Sequence, residues 1–153
     1  MFCMLSVLIA TSYAMWCRST LAYAVRSGVR YGITVTGTQA TAAGSNLTAM
    51  VKSYVVASSA GLLSGTSLIQ VHYYAPCTTS STGLCDVSSQ SNGDAPGNLM
   101  QVSISNYPLT FMPRILGWFR SSTTIESTPL MLSAVSADEI EPSNDVPPIG
   151  TAP

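Results

Sequence analysis

Few side chains in this sequence are placed to do chemistry, and the best placed are Cys77 and Cys85, which flank the polar loop PCTTSSTGLC. No histidine or carboxylate lies between them to complete a metal site. A local disulfide made in an oxidising compartment is the simplest reading of that spacing, two unpaired thiols being the alternative. Cys3 and Cys17, fourteen residues apart in an apolar segment, read as small hydrophobes, and the flanks of Cys3 show no recognisable lipidation box. His72 is the single histidine. It falls among tyrosines in an alternating segment, where an ordinary surface or edge position is expected over a catalytic or metal-binding one. No GxSxG elbow, HExxH, phosphate-binding loop or GxGxxG after a strand occurs, and the scarce carboxylates leave almost no acid–base pairs to arrange. The expectation is a protein that is not an enzyme, with no cofactor and no metal.

The chain has 153 residues, room for one modest domain and an anchor. Charged residues make up only 8% of it, against a typical quarter, a balance more common in secreted or cell-surface domains than in cytosolic ones. The formal net charge of −1 offers no electrostatic case for nucleic acid as a partner.

The elements that must carry these residues begin with a long N-terminal helix. Met1 to Trp16 is uncharged and mostly apolar, and Arg18, Arg26 and Arg30 then share one helical face. Leu21, Ala24, Val25 and Gly28 recur at helical spacing, and no proline interrupts the run to about Ile33. Ala24, Gly28 and Gly32 form a four-residue row that allows close packing, either against other helices or against the chain's own sheet. The uncharged run ends at Cys17, a little short of the roughly 20 residues of a membrane span. It fits a signal peptide, a buried core helix or a membrane helix whose front lies ahead of Met1. Arginines behind the apolar run would leave the remainder in the cytoplasm, in conflict with a disulfide. A longer apolar N-terminus with basic residues before it resolves that conflict and is expected.

Beyond the helix, ITVTGTQATAAGS reads as a connecting loop, with a possible extended piece at Ile33 to Val35. Asn46 is placed to cap a second helix through Leu47, Met50, Val51, Tyr54 and Val55, which Gly61 would stop. Ile69, Val71 and Tyr73 define one face of a strand ending at Pro76, followed by a long loop to Gly97. Alternation returns over Asn98 to Tyr107, and a last strand is expected over Pro129 to Ala137. Between them the apolar stretch Tyr107 to Phe119 is neither a good strand nor a good helix. The fold class is α+β, with a long N-terminal helix and a second short helix on a small antiparallel sheet of three to four strands. The domains are 1–33, helical anchor; 34–138, the α+β domain; and 139–153, an acidic, proline-rich disordered tail.

The segment WCRSTLAYAVRSGVRYGI resembles the hallmark of TadE-like proteins, and VSISNYPLTFMPRILGWF with the following Ser/Thr-rich strand, ending near Asp138 or Glu139, is similar to the family's C-terminal part. The resemblance implies a minor pilin or pseudopilin of the tight-adherence, Flp-type pilus system. Its pilin-like helix would sit in the bacterial inner membrane as a single pass, against lipid, with the α+β domain in the periplasm. Partners implied are other pilin or pseudopilin subunits and Tad assembly proteins. The basic residues, glycine-type cleavage site and glutamate-containing apolar stretch of the family do not precede Met1, so prepilin-peptidase processing is assigned to no residue. A ligand-binding or adhesion module unrelated to a pilus is the alternative.

Overall fold

The structure, a computed structural model, describes residues 2–78, 80–109 and 130–141. Helix α1 runs unbroken over Phe2–Thr34. The hydroxyls of Thr11, Ser27 and Thr34 each bond back to a carbonyl four residues earlier, so these polar side chains sit in the helix without competing for its ladder. The extended piece expected at Ile33 to Val35 is thus largely helix.

The expected connecting loop contains a short helix, α2, at Gly37–Ala42. Its start is written in Thr36-Gly-Thr-Gln39, where the Gln39 side-chain oxygen accepts from the Thr36 backbone N–H at 3.2 Å, the returning half of a capping box. Thr, Ala and Gly composition hides this signal. Helix α3 spans Leu47–Ser58, and the Asn46 side chain accepts from the Ala49 N–H at 2.9 Å, the cap expected from the sequence. Ala60 and Gly61, at φ 51° and 80°, turn the chain out of it.

Four antiparallel strands follow: β1 Ile69–Pro76, β2 Leu84–Asp86, β3 Leu99–Leu109 and β4 Leu130–Glu139, in spatial order β2-β1-β3-β4. The long loop after Pro76 therefore contains a three-residue strand, too short for alternation to reveal. The last strand runs through Glu139, and Ile140 is buried beyond it. The stretches 110–129 and 142–153, with most of the Tyr107 to Phe119 segment and of the acidic tail, lie outside the described residues.

One layer of helix covers one face of the sheet. Leu21, Ala24, Val25 and Val29 of α1 and Val51 and Val55 of α3 meet Ile69, Val71 and Tyr73 of β1 and Met100, Val102 and Ile104 of β3. Each buried Val, Leu, Ile or Met side chain among them contributes about 1.5–3 kcal/mol. In β3 the register shifts between Ile104 and Tyr107, so that Ser105 and Asn106 oppose the single residue Ser133. Asn106 takes the left-handed conformation there, at φ 58°. This bulge inverts the strand's alternation, and Tyr107 joins the core face one position out of phase with an uninterrupted strand.

Candidate interaction site on the front of the long helix

Behind Trp16, α1 is an ordinary core helix, with Leu21, Ala24 and Val25 inward and Arg18, Arg26 and Arg30 exposed. Ahead of Arg18 the inward stripe continues through Cys17 to Ala10, both buried, but the outer side turns apolar instead of staying charged. Met4, Leu8 and Met15 are 79%, 64% and 75% exposed, and Leu5, Val7, Ile9 and Trp16 are about half exposed. With 100° per residue these seven side chains cover an arc of about 200°. A helix apolar over so much of its circumference is normally covered by protein or lipid. Even so, among the described residues no helix is long and apolar enough to cross a membrane.

Ala24, Gly28 and Gly32 lie on the inward side, within the chain's own packing. Ala24 is fully buried in the core. A Cβ on Gly28 would collide with Val55 Cγ2 of α3, and one on Gly32 would lie 2.7 Å from Met100 Sδ and 2.8 Å from Val51 Cγ2. The row brings α1 close to α3 and β3, one of the two uses open to it from sequence. Beside this contact Tyr31 and Tyr54 stack with ring centroids 4.3 Å apart, joining α1 to α3.

Cys77 and Cys85 are bonded, with Cα atoms 5.8 Å apart, and close the loop that leads from β1 into β2. Cys17 is a free, buried thiol.

His72 lies on the sheet face away from the core strip, where its Nδ1 is 3.2 Å from Asp86 Oδ2 and its ring stacks on Tyr74. Asp86 Oδ1 accepts from the Ser88 N–H at 2.8 Å, and Ser88 Oγ accepts from the Tyr73 N–H at 2.8 Å. Burial pushes the Asp86 carboxyl up, but the bonds from Ser88 and the adjacent His72 outweigh it and hold the group below the usual carboxylate range. Ser88 is tied to backbone and buried, so this His–Asp–Ser set joins β2 to β1 and presents no free nucleophile. Fourteen residues separate His72 from Asp86, and only strand pairing brings them together.

A second carboxylate escapes sequence reading. Asp94 is buried and its Oδ2 has no hydrogen-bond partner. It lies near Tyr73, whose hydroxyl is 3.3 Å from Thr48 Oγ1. Burial drives the Tyr73 phenol up to about 12, the Thr48 hydrogen bond opposing and the Asp94 charge reinforcing the shift. Among the described residues no group of three or more His, Cys, Asp or Glu side chains is placed to hold a metal ion.

No protein-family model, curated protein or solved structure matches this chain.

Proposed function

We propose that this chain is a membrane-associated, TadE-like minor pilin or pseudopilin, a non-enzymatic component in assembly of a tight-adherence pilus. The observation that carries the reading is the exposed apolar front of α1, Met4 to Trp16, projecting from a helix whose rear half is a core element of an α+β domain. Such a helix has two jobs along its length: the rear holds the domain together, and the front enters lipid or packs among the helices of neighbouring subunits. The Cys77–Cys85 disulfide supports a domain on the oxidising side of the membrane. A bilayer span takes about 20 apolar residues, and the front contributes part of one.

Fractionation of cells expressing the tagged full-length gene product tests the location. The expected result is a product that stays with the inner membrane through alkaline washing and whose domain is digested by protease added to spheroplasts. Recovery as a soluble cytoplasmic protein with reduced Cys77 and Cys85 would overturn it. Deleting the gene is expected to abolish or shorten surface pili, and normal piliation would remove the pilus role while leaving the membrane one.

A further inference from the structure

Among the described residues the charges are sorted by layer. Residues 1–85 contain no Asp or Glu, and the described residues from 86 onward contain no Lys or Arg. The helices therefore present Arg18, Arg26, Arg30 and Lys52, while the sheet and its end present Asp86, Asp138, Glu139 and Glu141. Among the described residues the one ion pair is His72 with Asp86, which involves none of these cations. Among the described residues the cations and the anions thus lie on different layers.

The acidic side coincides with an unusual edge. Of the two edge strands among the described residues, β2 is three residues long and tied by the disulfide to the residue after β1, a short edge with little backbone to offer. β4 is ten residues long, contains no Lys or Pro and no bulge of its own, and exposes Met131 and Val135, the latter to 63%. The cationic side has a matching apolar element, since Tyr23, 65% exposed, precedes Arg26 and Arg30 on the outer side of α1. Tyr23 to Arg30 spans about 10 Å of helix, and Val135 to Glu139 about 13 Å of strand.

We infer that this chain associates head to tail with a second copy of itself, the Tyr23, Arg26 and Arg30 face of α1 in one copy seated against the Val135, Asp138 and Glu139 edge of β4 in the next. Apolar contact between Tyr23 and the β4 edge supplies the buried area. The charges set orientation and association rate, because single exposed ion pairs add little affinity but complementary faces steer and select. The contact joins two different surfaces, so a pair of copies keeps one free face of each kind and can add further copies, as an open chain or a closed ring. The inference does not rest on the membrane reading, since neither face belongs to the apolar front.

Sedimentation velocity of the full chain in a neutral detergent, at about 0.02 M and about 0.5 M salt, measures the association. Weakening by about tenfold or more at the higher salt is expected. The variants Arg26→Glu with Arg30→Glu, and Asp138→Lys with Glu139→Lys, are each expected to be monomeric, and mixing the two is expected to restore association. If a reversed variant fails to fold by circular dichroism, Arg26→Gln with Arg30→Gln and Asp138→Asn with Glu139→Gln replace the pair, each expected to weaken association. A wild-type chain that stays monomeric at low salt overturns the inference. So does association indifferent to salt and to all these variants, which would mark symmetric β4 pairing or contact through the apolar front, and so does a reversed-charge mixture that stays monomeric.

Discussion

Asp86, at the end of β2, and Asp94, in the loop that follows, respond to pH with opposite sign. Asp94 is 2% exposed, and burial raises its carboxyl above the ordinary range against the pull of its own backbone N–H. A folded-state value above the unfolded one means that this group's stabilising contribution is whole below the unfolded value, near 3.8, and is lost as pH rises through the folded one. Asp94→Asn is therefore expected to melt higher than wild type at neutral pH, with the difference shrinking to nothing in acid. A difference that stays constant with pH would show that the carboxylate charge is not its cause. Asp86 is held below its ordinary value, so its contribution is present above about 3.8 and lost as pH falls through the folded value. Asp86→Asn is expected to lower the melting temperature at neutral pH and to leave it unchanged in acid. Loss of the Ser88 turn alone would instead lower it at both.

At the scale of elements, the contact of α1 with α3 depends on a missing side chain. In an isolated helix Gly→Ala gains about 1 kcal/mol, but at Gly28 the new methyl meets Val55 Cγ2, whose branched side chain has one preferred rotamer in a helix. Overpacking of this kind costs about 1–3 kcal/mol, so Gly28→Ala is expected to be destabilising on balance. Val55→Ala is expected to cost less in the Gly28→Ala background than alone, a coupling that urea denaturation of the four proteins measures. Equal costs in both backgrounds would show that α1 and α3 move apart freely. The disulfide closes a loop with sequence separation 8 beside the short strand β2. Cys77→Ser with Cys85→Ser is expected to cost about 2–3 kcal/mol in the same measurement, from loop-closure entropy returned to the unfolded chain.

For the whole molecule, the division of α1 into a core-forming rear and an exposed front separates stability from attachment. Leu8 is 64% exposed and makes no part of the buried core. Leu8→Lys is expected to leave the domain's melting temperature within about 3 °C, because exposed substitutions change stability by about 0.5 kcal/mol or less. The same change is expected to release the chain from membranes or detergent micelles, since a lysine well inside a bilayer costs about 2.5–3.5 kcal/mol. A variant that unfolds would place Leu8 in the fold, and one that stays bound would place attachment elsewhere.

The local signals in the sequence were enough for the elements that depend on local chemistry. An unbroken helical period gives α1, Asn46 gives the start of α3, the alternation of Ile69, Val71 and Tyr73 gives β1, and the spacing of Cys77 and Cys85 gives their bond. What sequence left undecided depends on which elements meet. Ala24, Gly28 and Gly32 offer the same small-residue row to a neighbouring helix or to the chain's own core, and only the position of Val55 and Met100 shows that the core takes it up. The β3 bulge, the His72–Asp86 contact and the buried Asp94 are equally invisible in one dimension. Each arises from strand pairing or loop closure between residues far apart in the chain, and no local propensity encodes a register.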